Sequence, residues 1–253
     1  MLKKRISAVL VVKNGLVVQS FGFSTHLPIG KITQSVRNLA NWKVDEIIIL
    51  DISAAARGQV DLDLIKAASA ASAGTPLIYG GGIHNAQVAN KVIRNGADRL
   101  VIGASLIDGT CSPQSIAEAT GAQAVILSLP LIQNVEGLFV FNYNSGTSCK
   151  IDAYQDLYLN QSVSEVLLTD VTSVGRLDQG FSLLDACKTQ FKGVSQILYG
   201  GIAATDITSL LGNNDVASVA IGNKLQHQEL SYWHVKQSLT PQHDNFPRKI
   251  NAL

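Results

Sequence analysis

Charge is the first thing this sequence has little of. Only 15% of its 253 residues are Asp, Glu, Lys or Arg, and 20 basic against 19 acidic side chains leave a formal charge of +1. A chain so balanced has no general field to attract nucleic acid or an acidic membrane surface, so a small molecule is the expected ligand. Long apolar runs are absent too: nothing approaches the ~20 residues that a spanning helix needs. The basic start Met1-Leu2-Lys3-Lys4-Arg5 leads into an apolar run that Lys13 and Asn14 close too early for a signal peptide. A cytoplasmic protein without a membrane partner is expected. Cysteine is scarce: Cys111, Cys149 and Cys187 are odd in number, far apart and without a CxxC, which excludes a disulfide framework and a zinc site. The five histidines are dispersed, with no HExxH or GxSxG element. Neither a metal nor a cofactor is expected.

Apolar residues, at 46%, are plentiful enough for a sizeable core, and they are arranged in two alternating ways. Short β-rich runs such as Glu46 to Ile52 and Arg99 to Ile102 alternate with stretches of helical period, for example Asn85 to Asn95 with Val88, Ala89, Val92 and Ile93 apolar. Strands covered by helices on a parallel sheet read as nearly unbroken apolar runs, as Ile47-Ile48-Ile49-Leu50 does.

Internal repetition decides the fold class. Asp45-Glu46-Ile47-Ile48-Ile49-Leu50-Asp51-Ile52-Ser53 aligns without gaps on Ser164-Glu165-Val166-Leu167-Leu168-Thr169-Asp170-Val171-Thr172, an offset of 119 residues. The same offset brings Gly81-Gly82-Ile83 onto Gly200-Gly201-Ile202 and Val101-Ile102-Gly103 onto Ala220-Ile221-Gly222. A duplicated run of four βα units closes most naturally as a (β/α)₈ barrel, whose usual length of roughly 250 residues this chain matches. The expectation is an α/β (β/α)₈ TIM barrel of the ribulose-phosphate-binding kind over residues 1–240, with halves 1–120 and 121–240 meeting near Gly121 and an irregular tail over 241–253. Phe139 to Gly146 reads as a hairpin inserted after the fifth strand, with an Asn-Ser-Gly turn.

Glycine loops that follow strands and precede helices expose backbone N–H groups to which a phosphate can bind. Gly81 and Gly82 with Gly103 and Ala104, and Gly200 and Gly201 with Gly222 and Asn223, form two such pairs, which would suit a ligand phosphorylated at each end. A tight turn needing positive φ explains the glycines equally well without a ligand. Asp51 and Asp170, equivalent in the repeat, stand just past strand ends on the face where barrel ligands bind. Each could orient a hydroxyl or act as a base, or simply cap the next loop.

Several of these segments, taken together, resemble the cyclase subunit of imidazole glycerol phosphate synthase, the barrel partner of a glutamine amidotransferase in histidine biosynthesis. They are Lys4-Arg5-Ile6, Val12-Lys13-Asn14-Gly15, Asp45-Glu46 through Ile52, Gly80-Gly81-Gly82-Ile83, Gly96-Ala97-Asp98-Arg99 and Leu167-Leu168-Thr169, and they span nearly the whole chain. The resemblance implies a synthase or lyase-type subunit working with a glutaminase. It also implies general acid and base aspartates on the first and fifth strands, but the matching positions here are Val11 and Pro130. Neither side chain moves a proton, and losing one such group costs a factor of ~10²–10⁴ in rate. The family's Asp-Arg-Asp-Gly-Thr is here Thr172-Ser173-Val174-Gly175-Arg176, and its usual asparagine at the first small-residue loop is Gly103.

The other end of the barrel keeps what the family carries. Arg5, Glu46, Arg99 and Glu165 match its ammonia-channel gate, with Arg99 in place of a lysine, and Asp98 and Gln123 match positions used against the glutaminase. The resemblance thus points to a barrel that takes channelled ammonia to a phosphorylated or nucleotide-linked sugar-type acceptor, as paralogues in lipopolysaccharide biosynthesis clusters do. Two alternatives stand beside it. One is the histidine-pathway cyclase with relocated acid–base groups, and the other is an inactive docking or regulatory partner of a glutaminase.

Overall fold

The computed structural model describes residues 3–143, 145–176, 183–226, 231–239 and 245–247. In chain order its strands are β1 (Arg5–Lys13), β2 (Leu16–Phe21), β3 (Thr25–Lys31), β4 (Glu46–Asp51), β5 (Leu77–Gly80), β6 (Arg99–Ile102), β7 (Val125–Asn134), β8 (Gly137–Asn142), β9 (Thr147–Lys150), β10 (Glu165–Asp170), β11 (Gln196–Tyr199) and β12 (Val216–Ile221). Eight of them pair in parallel in the order β1, β4, β5, β6, β7, β10, β11, β12, and β12 returns to β1, so the sheet closes into a barrel. Helices such as Leu62–Ala71 and Ala86–Arg94 connect successive strands. This is the (β/α)₈ barrel that the repeat foretold.

The strands are unbroken apolar runs because both faces are buried. One residue from each barrel strand (Val9, Ile48, Ile78, Val101, Ile126, Leu167, Ile197 and Ala220) packs with its neighbours into the barrel interior. Alternate residues such as Ile47 and Ile49 point outward, into a second core with Ala89 and Val92 of the Ala86–Arg94 helix. Asn85 caps that helix by accepting from Val88 N–H at 2.9 Å.

The two halves superpose in register as well as in order. Ser7 pairs with Glu46 and Val11 with Leu50; 119 residues on, Ile126 pairs with Glu165 and Pro130 with Thr169. Backbone conformation repeats too, with φ of +131° and +70° at Gly81 and Gly82 against +125° and +60° at Gly200 and Gly201.

Two antiparallel excursions interrupt the barrel, one after the first strand and one after the fifth. The second is the expected hairpin, β8 with β9, which continues an extended β7; Asn144 of its turn lies outside the described residues. The first, in which β2 turns back on β1 and pairs in turn with β3, was not anticipated. Its signal was nevertheless present: Asn14 and Gly15, with φ of +52° and +77°, are the two loop residues between paired Lys13 and Leu16. An Asn-Gly pair with positive φ at both positions is a strong hairpin signal, and here it stood between two valine-rich runs. Of residues 241–253, only Asn245, Phe246 and Pro247 are described; Phe246 is buried, and the Asn245 carbonyl accepts from Lys4 N–H at 2.6 Å.

Candidate functional site

The floor of the barrel, at the strand starts, holds a buried charge network. Arg5 Nη2 donates to both Glu165 oxygens at 2.8 Å, and Arg99 Nη1 donates to Glu165 Oε2 at 2.6 Å. Arg5 Nε lies 3.0 Å from Glu46 Oε1, a charge contact whose N–H is not aligned as a hydrogen bond, and Ser7 Oγ donates to the same oxygen. Burial works against the Arg5 charge, but Glu46 and Glu165 outweigh it and hold the guanidinium protonated more firmly than usual. The four residues that the sequence picked out as a gate therefore form one connected chain, Glu46–Arg5–Glu165–Arg99. Beside it, Arg99 Nε donates to the Gln123 carbonyl at 3.1 Å, and Asp98 Oδ2 accepts from Leu77 N–H at 2.8 Å. Asp98 and Gln123 are exposed on this end.

A second ion pair braces the floor. Lys236, fully buried, donates to Asp45 at 2.6 and 2.7 Å, and Asp45 Oδ2 accepts from Ile6 N–H at 2.8 Å. Tyr232 O–H donates to the Ile6 carbonyl at 3.0 Å, tying the Ser231–Ser238 helix to β1.

At the opposite end, each predicted glycine pair comes together, but in two unlike pockets. Gly81, Gly82, Gly103 and Ala104 line a cavity of about 460 Å³ that also receives Asp51, Ser128, Pro130, Thr169 and the aromatic side of the β8–β9 hairpin. Gly200, Gly201, Gly222 and Asn223 line a recess of about 40 Å³ with Arg176, Tyr199 and Lys224. Glycine is required at both turns. A Cβ on Gly81 would stand 2.3 Å from the Asp51 carbonyl oxygen, and one on Gly200 would stand 2.7 Å from that of Asp170.

The paired aspartates share a local job. Asp51 Oδ1 accepts from Ser53 and Ala54 N–H at 3.0 and 2.9 Å, and Asp170 Oδ1 from Thr172 and Ser173 N–H at 3.0 and 3.2 Å. Asp170 goes further, accepting from the Thr172 and Ser173 hydroxyls at 2.7 and 2.8 Å. Asp51 Oδ2 lies 3.5 Å from the Tyr79 hydroxyl, at the limit of a hydrogen bond, and Asp51 lines the larger cavity. Burial pushes its carboxyl above the usual range against the amides of Ala54 and Ser53. Of the two, Asp51 is the one that a ligand could reach.

Val11 and Pro130 sit at mouth level. Val11 is buried in the interior cluster against Val9 and Val18, and Pro130 lines the larger cavity. The two hairpins meet above them: Phe23 and Tyr143 stack edge to face at 5.3 Å, and Phe141 stacks on Tyr143 at 5.0 Å. Loss of hydration at the hydroxyl, and then Tyr199, raise the pKa of Tyr143, whose side chain as a whole is exposed, and burial raises that of Tyr199. This aromatic roof escaped notice in the sequence because its rings come from two loops 120 positions apart, Phe23 and Tyr143. Among the described residues no His, Cys, Asp or Glu cluster could hold a metal ion, and no helix is long and apolar enough to cross a membrane. The cysteines are free: Cys187 buried, Cys111 partly so and Cys149 exposed.

A family profile described as "Histidine biosynthesis protein" matches residues 5–231, nearly the whole barrel. The chain belongs to that family. Within the histidine biosynthesis family it is similar to a putative imidazole glycerol phosphate synthase subunit hisF2 of Vibrio vulnificus, 29% identical over 91% of this chain and 86% of that protein. A putative subunit HisF of Leptospira interrogans is 27% identical over 88% of this chain and 90% of its own length. The imidazole glycerol phosphate synthase subunit HisF of Sulfurisphaera tokodaii is 30% identical over 69% of this chain and 71% of its own length. The chain is a HisF-like barrel subunit of the imidazole glycerol phosphate synthase family, as the sequence motifs implied.

Proposed function

We propose that this barrel accepts ammonia released by a HisH-like glutaminase docked at its floor and transfers it to a phosphorylated or nucleotide-linked sugar-type acceptor at its mouth. One observation carries the reading: the floor network Glu46–Arg5–Glu165–Arg99 is complete beside exposed Asp98 and Gln123, while the mouth has Val11 and Pro130 where the family's chemistry calls for aspartates. Ammonia is small and neutral, so the apolar barrel interior that excludes ions suits its passage. In this reading Arg5 and Arg99 are the gate, held across the floor by their bonds to Glu165. The mouth needs no strong acid to accept ammonia, but it must hold a carbonyl-type acceptor dry and in place. Asp51, reachable and with its carboxyl raised by burial, is the proton-handling group proposed there.

The test is a pull-down and glutamate-release assay with a histidine-pathway-type glutaminase subunit. Binding with stimulated glutamate release is expected, and the absence of both would overturn the proposal. The names of the relatives favour a second reading, in which the chain is the histidine-pathway cyclase with its acid–base work moved to Asp51, Asp170 or water. Growth of a cyclase-deficient histidine auxotroph carrying this chain would support it. Failure to grow despite soluble expression would contradict it.

A further inference from the structure

The two ligand loops that the repeat made equivalent now have opposite surroundings, and that difference names the ligand's two ends. Around Gly200, Gly201 and Gly222 the recess includes two cations, Arg176 and Lys224, and no carboxylate among the described residues. Around Gly81, Gly82 and Gly103 the cavity is lined by two carboxylates, Asp51 and Asp108, and by His84; no Lys or Arg among the described residues lines it, and Arg57 acts electrostatically on Asp51 without lining it. A phosphate beside Arg176 and Lys224 gains charge-assisted hydrogen bonds, whereas one near buried Asp51 meets like charge out of water.

Size and lining point the same way. At about 40 Å³ the cationic recess has room for little beyond a phosphoryl group, and its Asn223 side chain is already held by the Ser20 N–H and carbonyl, at 3.1 and 2.8 Å. The acidic cavity, at about 460 Å³, matches the few hundred Å³ of small-molecule sites. Its roof is Phe141 and Tyr143, with Phe23 edge-on to Tyr143, and its walls include Ile83 and Ile107. Stacked rings above an apolar wall, with Ser128, Thr169 and a pair of carboxylates as acceptors, suit a flat, uncharged, donor-bearing ring.

We infer that the mouth binds a polar-ended ligand in one orientation, with its single phosphoryl end at Arg176 and Lys224 and an uncharged planar ring under Tyr143. This deepens the acceptor reading above and rests on it: the barrel departs from a two-phosphate ligand because the first-half loop has become a ring site. Tyr143 is then a specificity-determining residue, and Arg176 and Lys224 hold the phosphate.

The experiment is calorimetric titration of the chain alone with three probes: inorganic phosphate, uridine 5′-monophosphate and ribulose 1,5-bisphosphate. The inference expects one site per chain, with the monophosphate at least about tenfold tighter than the bisphosphate, since base stacking outweighs a second phosphate that meets Asp51 and no lining Lys or Arg among the described residues. Lys224→Ala and Arg176→Ala weaken phosphate and uridine monophosphate together, by about tenfold each. Tyr143→Ala weakens uridine monophosphate about tenfold and leaves inorganic phosphate within about twofold. Tyr143 is 46% exposed, so its truncation leaves the barrel folded, which a thermal melt verifies. Two phosphates per chain, tightest binding of the bisphosphate, or an indifferent Tyr143→Ala would overturn the orientation while leaving the acceptor reading standing. No binding of any probe would overturn both. Because no glutaminase is present, failure of the ammonia route cannot be mistaken for either result.

Discussion

The first and second halves of this barrel differ most where they were once the same. Their backbones still coincide at the glycine turns and aspartate caps, yet one mouth loop is now flanked by carboxylates and aromatic rings and the other by cations. Duplication fixes what the fold needs and releases what only the ligand needs. A positive φ packed against a carbonyl leaves no alternative to glycine. A side chain lining a solvent-facing pocket has no such constraint.

Paired substitutions test this division, beginning with the floor. Glu165 answers two arginines and Glu46 one arginine and Ser7, so the halves already share the load unequally. Glu165→Ala leaves Arg99 partly buried without a carboxylate and Arg5 with Glu46 alone, and a loss of about 3–5 kcal/mol is expected in urea unfolding, against a smaller loss for Glu46→Ala. Equal losses would show that the network does not run through Glu165.

Next come the mouth turns, Gly81→Ala and Gly200→Ala. Both add a Cβ against a backbone oxygen at positive φ, so each is expected to cost at least about 1–3 kcal/mol. Gly81 is the costlier because its contact, 2.3 Å, is closer than the 2.7 Å at Gly200. A neutral result at either would mean that the turn relaxes and glycine serves the ligand instead.

The aspartate caps give a smaller effect. Asp170→Ala removes an acceptor of four hydrogen bonds in a fully buried place and should exceed Asp51→Ala, which loses a cap of about 1 kcal/mol. Asp51→Asn keeps the cap and removes the buried charge, so at neutral pH it should be at least as stable as the parent. Its pH dependence is the sharper readout. Burial raises the folded carboxyl pKa above its ordinary 3.8, so between those two values the native state binds more protons than the unfolded one. Asp51's contribution to stability therefore falls as pH rises through that window. Unfolding midpoints of Asp51→Asn and parent should diverge in favour of the variant as pH rises from 3.8, and parallel curves would show Asp51 unperturbed.

Much of the fold could be read before any coordinates, since helix and strand periods, the repeat and the glycine turns are all local signals. Glu46, Arg99 and Asn85 mark element starts within a residue of where they occur. The site could be read only in part. Glycines announced both loops because their constraint lies in the backbone, but Tyr143, Phe23 and Asp108 gave no local sign. Tyr143 and Phe23 act through hairpins that fold over the mouth from strands on opposite sides, and Asp108 from the end of the short Ala104–Ile107 helix; the first excursion passed unnoticed although Asn14-Gly15 encoded the turn from β1 into β2. The buried brace Lys236–Asp45 was equally silent, joining residues 191 positions apart.

The central claim is that the floor still serves a glutaminase although the mouth has changed. Glutamate release by a histidine-pathway-type glutaminase subunit, measured with the parent chain and with Asp98→Arg, tests it most directly. Asp98 is exposed beside the gate, so reversing its charge should remove docking without unfolding the barrel. The account predicts stimulation by the parent chain and its loss with Asp98→Arg. A glutaminase rate that neither chain changes would contradict it.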